Sequence, residues 1–331
     1  MTRFANGTMP HSDVMRTLAT SAEIGAVLHS PQFDVVDYSA RHANLARALN
    51  LDFSHILRTL QFVPACLDAA RHSGVRREIG ELIAERQAAV RSMSPLILDA
   101  LLAPLSQPGE YELVTSVLAP FVQKTLRILS GVEAAEQSLE HMTFSDVFSQ
   151  NIGIIRRRRL NDNLGTVWQW LDEVYANEPE SRRGVRLALL VLGADATLGT
   201  LAGSLQATLA GAPTRCSDLP FEAVPPCTGV PYVDRQAIVA GQIGGENWER
   251  GALARLRLDA FEAAALSEER HRMFGSGAHA CLGRAIATHM WRTLMQKLGS
   301  LPGRIEFVNL TWQRSDVMRI PEQLVVRILH D

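Results

Sequence analysis

In the stretch Phe274-Gly-Ser-Gly-Ala-His-Ala-Cys281-Leu-Gly283, three glycines crowd around one of only four cysteines in the chain. Gly275, Gly277 and Gly283 permit positive φ and a close backbone approach around the sulfur. Immediately downstream, Ile286, Met290, Leu294 and Leu298 recur at helical spacing, so residues 284–298 predict a helix with Cys281 just ahead of its first turn. Free N–H groups and the positive end of the dipole at that place favour a thiolate over a thiol, and a thiolate is the form that binds a soft or redox-active metal. Taken alone, the stretch is also consistent with a glycine-rich loop holding a buried cysteine.

Around it lies an ordinary globular composition: 331 residues, 47% hydrophobic, 21% charged, with a formal net charge of −2. That length supports one large core or two smaller ones. The balanced charge gives no general attraction to nucleic acid or to a membrane surface. Residues 1–20 contain no apolar signal region, and Cys66, Cys216 and Cys227 make no C-x-x-C pair. A disulfide framework or zinc site is therefore not expected, and cytoplasmic residence is.

Residues 1–50 say little. After Pro64, the apolar positions Leu67, Ala70, Val75, Ile79, Leu82 and Ile83 predict a helix to about Val90, with His72 and Arg76 one turn apart on one face. Residues 93–105 and 113–129 read as two further helices, parted by a turn at 106–109, and a break follows at Ser130-Gly131. Four arginines at 156–159 have no interleaved aromatic residues or basic domain around them, which argues against nucleic acid. They read as a solvated turn or helix end, with docking of an acidic electron donor as the alternative. Residues 163–175 predict a helix with Trp168, Leu171 and Val174 on one stripe. The longest apolar run, 187–212, holds Asp195 near its middle, where an acid would cost ~3 kcal/mol in lipid. A buried core helix is expected there, and no membrane span. Residues 230–235 and 236–245 read as short strands with a Gly-Gly turn, and 305–308, 311–314 and 323–328 alternate like strands.

The pattern Phe-x-x-Gly-x-His-x-Cys-x-Gly resembles the haem-binding loop of the cytochromes P-450, and Ala287 falls where that family usually has alanine. The resemblance implies a mainly α-helical single domain over residues 1–331 with a small β-rich lobe. Haem b would lie between a central distal helix and the proximal cysteine loop, with Cys281 as the axial iron ligand. It places Phe274, Gly275 and Gly283 in the cofactor loop and His279 on a haem propionate. The string 68–77 resembles the family's propionate-binding helix and gives His72 and Arg76 the same duty, since two buried carboxylates need cationic partners; Arg77 reads as a surface charge. Arg235 aligns with a second propionate-binding arginine, and by itself reads equally as an exposed strand end.

Leu192-Gly193-Ala194-Asp195-Ala196-Thr197 resembles the oxygen-activating segment of the central helix. Gly193 would let the helix approach the haem and Asp195 would relay protons; by itself Asp195 also reads as a structural buried acid. Gly193, Ala194 and Val230, with Val317 and Met318 at the tip of a closing β-hairpin, are the expected substrate-pocket residues. Two departures follow. Where the family has a threonine that takes part in dioxygen activation, this chain has Ala196, and Thr197 is rotated by about 100° around the helix. Counting back from Pro225-Pro226, the family's Glu-x-x-Arg ion pair falls on Leu219 and Glu222 and is absent, while Glu180-x-x-Arg183 and Glu269-x-x-Arg272 fit the letters and not the place. An unrelated local solution is expected instead. The chain is also shorter than typical members around 139–180 and 245–272, which implies a reduced distal lid and meander and an open pocket for a bulky or carrier-tethered substrate.

The implied activity is a haem-thiolate oxidoreductase of the monooxygenase type in specialised-metabolite biosynthesis, with Asp195, Ala196 and Thr197 as its catalytic segment. It would use dioxygen or peroxide, and a ferredoxin and ferredoxin reductase-type donor would dock on Arg71, Arg76, Arg77 and Arg284. The alternatives are a peroxide-driven enzyme and a P-450-like scaffold that has lost oxidation and helps a partner enzyme. Ala196 and the missing ion pair favour the helper; the intact cysteine loop opposes it.

Overall fold

A computed structural model describes residues 15–132, 143–149, 151–243 and 245–329. The expectation of no signal region therefore falls largely outside the described residues, as do residues 133–142 of the shortened lid. Among the described residues the helices are α1 (Ser21–Leu28), α2 (Tyr38–Leu49), α3 (Ser54–Leu60), α4 (Ala69–Leu102), α5 (Ala119–Ser130), α6 (Ile154–Val174), α7 (Glu180–Leu209), α8 (Ser267–Arg270) and α9 (Arg284–Gly299). The strands are β1 (Met15–Leu18), β2 (Phe33–Val35), β3 (Gly109–Glu112), β4 (Thr214–Arg215), β5 (Tyr232–Ala237), β6 (Gly241–Ile243), β7 (Glu246–Trp248), β8 (Leu253–Arg257), β9 (Arg304–Trp312) and β10 (Pro321–Leu329).

Two four-stranded sheets, ordered β1-β8-β5-β2 and β3-β10-β9-β4, and a β6-β7 ribbon accompany the helices. β1 lies parallel to β8 and the remaining pairs are antiparallel. The core divides accordingly. One apolar cluster unites the helices with the β9–β10 hairpin. The other joins α1 to the first sheet through Ile24, Val27, Phe33, Ala254 and Leu256. This is the mainly α architecture with a small β-rich lobe.

Several elements differ from their sequence signals for local physical reasons. The two helices expected on either side of residue 91 are one 34-residue helix, α4, that runs through Pro95. Proline removes one helical N–H, leaving the Arg91 carbonyl without its usual partner, and the helix nevertheless continues through it to Leu102. The helix expected over 163–175 begins at Ile154 and takes in all four arginines. Trp168 and Leu171 are buried as expected, whereas Val174, in the last turn, is 55% exposed.

α7 is the spine: it touches α3, α4, α5, β9 and β10. Residues 71–106 and 180–209 are both long and apolar enough to cross a membrane, and 72% of the second's apolar window is buried inside the protein, as in a core helix. Its two halves are buried at 184–191 and 199–205, yet Leu192, Gly193, Ala194 and Ala196 between them are only half-buried. The middle of this helix is thus less enclosed than either half. Just beyond, the backbone is locked. A Cβ on Gly199 would stand 2.0 Å from the Arg319 carbonyl oxygen, and one on Gly229 would stand 2.1 Å from that of Ala196. Gly199→Ala should therefore destabilise the protein by about 2–3 kcal/mol through overpacking against backbone. Gly80→Ala, in α4 with nothing within 4 Å of the added Cβ, should stabilise it by ~0.5–1 kcal/mol; urea unfolding of the two variants checks both signs.

Candidate functional site

The cysteine loop is closed by its own backbone: the Cys281 N–H donates to the Phe274 carbonyl at 2.8 Å. Gly275 and Gly277 take the positive φ expected of them, 75° and 69°. Gly283 does not; its φ is −77°, and it serves as the N-cap of α9. Cys281 is accessible to water while protein atoms enclose its sulfur, as for a side chain lining an internal cleft. That enclosure raises the thiol's pKa, outweighing the N–H groups of Gly283 and Arg284 and the charges of Arg76 and Arg284, which all favour the thiolate. The expected thiolate thus needs a cation at the sulfur, and a bound metal supplies one.

Beside the loop, α4 and β5 bring together the basic residues expected from the sequence. The His72 and His279 rings lie 4.0 Å apart between centroids. Arg76 donates from Nη2 to the Ala280 carbonyl at 2.6 Å, tying α4 to the cysteine loop. Arg235 sits within β5, not at an exposed strand end, and donates to its neighbour's carbonyl, that of Asp234, at 2.9 Å. Among the described residues neither arginine has an ion-pair partner, and the buried His72 Nε2 has no hydrogen-bond partner. Burial lowers the pKa of all four groups. For His279 burial acts first, with Arg235, His72 and Arg76 adding to it, and the value falls to about 3. Four enclosed donors of positive charge with an orphaned nitrogen among them fit two propionate carboxylates well. The residues present fit haem.

On the other side, the structure redistributes the expected catalytic and pocket residues. Gly193 faces Leu126 of α5, whose Cδ2 would be 2.9 Å from an added Cβ; the glycine lets two helices close together instead of opening α7 to a cofactor. Asp195 is 7% exposed and accepts the Ser145 N–H at 2.7 Å, anchoring the short turn Phe144–Val147. Burial raises its pKa above the usual carboxylate range, opposed by hydrogen bonds from Ser145. Ala194 and Ala196 are half-buried, and Thr197 is 9% exposed. The Ala196 carbonyl accepts the Thr200 hydroxyl at 2.7 Å, and that hydroxyl accepts the Gly229 N–H at 2.8 Å. This holds the Val230 segment on α7. Met318 is 8% exposed and joins the core with Val317 packed against it. Neighbouring Asp316 accepts the Ser149 hydroxyl at 2.5 Å and the Asn151 amide Nδ2 at 2.9 Å, while the Tyr232 hydroxyl donates to its carbonyl.

The arginine run lies at the start of α6, and Arg156, Arg158 and Arg159 are exposed, as a solvated helix end would be. Arg156 also forks onto Asp146 at 2.5 and 2.9 Å, and Arg157 departs from the expectation: it is 5% exposed and reaches His42 Nδ1 at 3.0 Å. In the expected donor-docking face, Arg71, Arg77 and Arg284 are exposed, whereas Arg76 is half-buried and engaged with the loop. Ser145, Thr200, His42, Arg157 and Asp316 were not legible as site residues. Only Thr200 carried a signal, lying one turn after Ala196 on the same helical face.

The fold is that of the cytochromes P-450. Similar solved structures include CalO2, 15% identical over 95% of this chain and 90% of that one with a TM-score of 0.76. P450BioI, solved with a hexadec-9Z-enoic acid-ligated acyl carrier protein, is 14% identical over 95% and 91% with a TM-score of 0.72. The Tepidiphilus thermophilus P450 heme domain is 14% identical over 94% and 88% with a TM-score of 0.71. By sequence, no family model and no curated protein matches the chain.

The turn that Asp195 anchors has a pH-sensitive support. The Val147 carbonyl can only accept, so His42 Nε2, 2.9 Å away, carries the proton; Arg157 can only donate, so Nδ1 is bare. His42 is neutral, and burial and Arg157 push its pKa down to about 4. The unfolded chain binds this proton from about pH 6.5 downward, so the stability is whole above that pH and declines toward pH 4, by about 3 kcal/mol in all. His42→Gln, which keeps one donor and one acceptor, should lose ~2 kcal/mol less than the parent between pH 7.5 and 4.5 in urea unfolding; parallel pH profiles would show that His42 does not titrate this way.

Proposed function

We propose that this protein is a haem-thiolate oxidoreductase of the monooxygenase type. The observation that carries the reading is the pairing of a cysteine at the mouth of α9 with four basic side chains, His72 buried and the others half-buried, of which neither arginine has an ion-pair partner among the described residues and the His72 Nε2 has no hydrogen-bond partner. Cys281 would ligate the iron of haem b, and His72, Arg76, Arg235 and His279 would hold its propionates. Bound there, haem supplies one-electron and oxygen chemistry that no side chain provides, with thiolate ligation donating electron density to the iron.

The chain's own residues set the conditions. Arg76 fixes the height of the cysteine loop through the Ala280 carbonyl. α7 presents small side chains, Ala194 and Ala196, at its less enclosed middle, leaving room for substrate and contributing no hydroxyl at 196. Asp195 retains a proton more readily than an ordinary carboxylate and is the nearest acid on α7 from which one can be delivered. With a methyl at 196, the reading extends to peroxide as the oxidant, or to a hydroxyl supplied by water or substrate. A hydrophobic small molecule or a carrier-tethered acyl chain is the substrate class; the carrier complex of P450BioI supports the latter. Electrons would come from a ferredoxin-type donor, and the setting would be cytoplasmic biosynthesis.

A second reading, a helper scaffold without oxidation, is favoured by the engagement of Asp195 with Ser145 and by Ala196. Reduction under carbon monoxide separates the two. The haem-thiolate reading expects a strongly red-shifted Soret band that Cys281→Ser abolishes. A colourless protein, or a band indifferent to Cys281, would favour the helper. In the enzyme, Ala196→Thr should raise the fraction of electrons recovered in product; an unchanged fraction would assign the proton path to water or substrate.

A further inference from the structure

We propose that Glu222 and Arg270 are a charge-reversed replacement for the missing Glu-x-x-Arg pair and position the cysteine loop, a purpose that rests on the haem-thiolate reading. Glu222 occupies the slot where the pattern calls for arginine, three residues ahead of Pro225. Its carboxylate accepts Nη1 of Arg270, the last residue of α8, which leads directly into the cysteine loop. The letters of Glu-x-x-Arg elsewhere serve other contacts: Glu180 pairs with Arg58 and Arg183 with Asp172, and Arg272 donates to Ser21.

The surroundings distinguish this pair from an incidental surface bridge, which is usually worth little. The Arg270 side chain is 13% exposed against 42% for that of Glu222, and its Nε and Nη2 both donate to the Ala264 carbonyl, at 3.3 and 3.0 Å. A single guanidinium therefore closes the turn before the loop and reaches across to residue 222. From the far side of the loop, α9 grips the same segment. Trp291, fully buried, donates from Nε1 to the Glu222 carbonyl at 3.0 Å, and Arg292 donates from Nε to that of Ala223 at 2.9 Å. The chain entering the loop and the chain leaving it are thus both fastened to residues 222–223. The loop between them holds Cys281 at a height set by these anchors and by Arg76. The contact between residues 222 and 270 can be made with either polarity, whereas the turn at Ala264 needs the donors of Arg270. Glu222 and Arg270 are positioning residues; neither would touch the haem.

The test uses the haem-loaded protein and four variants: Glu222→Gln, Arg270→Gln, the exchange Glu222→Arg with Arg270→Glu, and, as a control, exchange of the exposed pair Glu110 and Arg327. Each is read by the proportion of red-shifted Soret absorbance in the ferrous carbon monoxide form, by haem loss to excess apomyoglobin, and by melting of the haem-free protein. The single variants should lose haem roughly tenfold faster, as when outer supports of a metal ligand are removed, and should show a smaller red-shifted proportion. The exchange should restore part of both, held short of the parent by the lost donors to Ala264, with the control unchanged. Single variants that melt lower but keep the parental spectrum and haem retention would make the pair merely structural and overturn the proposal, as would an exchange no better than the singles. Should the parent itself lack the red-shifted band, the haem-thiolate reading fails; coupling between Glu222 and Arg270 in the melting of the haem-free protein would still report on the pair.

Discussion

A cluster of basic side chains whose two arginines have no ion-pair partner among the described residues is the constraint around which this molecule is arranged. His72 and Arg76 come from α4, Arg235 from β5 and His279 from the cysteine loop, so the imbalance lies where the helical body, the β-rich lobe and the loop meet. Taking ionised groups out of water is costly unless they are paired. The folded chain limits the cost by holding both imidazoles neutral and by giving each arginine one backbone carbonyl. Carbonyls are weak partners for guanidinium. Any ligand that brings two carboxylates and a metal cation to this place would neutralise the cluster and favour the Cys281 thiolate together, and by mass action would stabilise the fold that makes the site.

The opposite face follows another logic. Its carboxylates are engaged with protein: Asp195 with Ser145, Asp146 with Arg156, Asp316 with Ser149 and Asn151. Together with His42 and Arg157 they fasten residues 143–149 and 151, whose Phe144, Val147 and Phe148 are buried in the apolar core. Polar contacts and apolar packing thus hold the segment together. On this face Asp195 serves as a tether for the turn at 144–147.

What the sequence disclosed and what it hid divide along the same line. The cysteine loop, the helix behind it and the His72–Arg76 face are local patterns, in which glycines, spacing and periodicity dictate the backbone within a few residues. The fold could be read from them because each is rigidly tied to its own element. The hidden features are pairings across the chain. Arg157 is separated from His42 by 115 residues, and Arg270 from Glu222 by 48. Within an otherwise exposed arginine run, Arg157 is buried because folding brings His42 to it. Gly193 fitted a motif, yet its meaning is set by Leu126 on another helix.

Asp195 shows why a tether and a proton source need not exclude each other. A carboxyl group has two oxygens, and the one that accepts the Ser145 N–H leaves the group able to carry a proton on the other. Burial favours that protonated form, while the N–H contact alone would favour the ion. The first effect is the larger, so the group holds its proton at higher pH than a surface aspartate and still keeps its anchor. Losing the proton would strengthen the contact to Ser145 and compensate part of the cost of a buried charge. The turn at 144–147 would then be held most firmly just after a proton has left Asp195, so its firmness follows the protonation of that group.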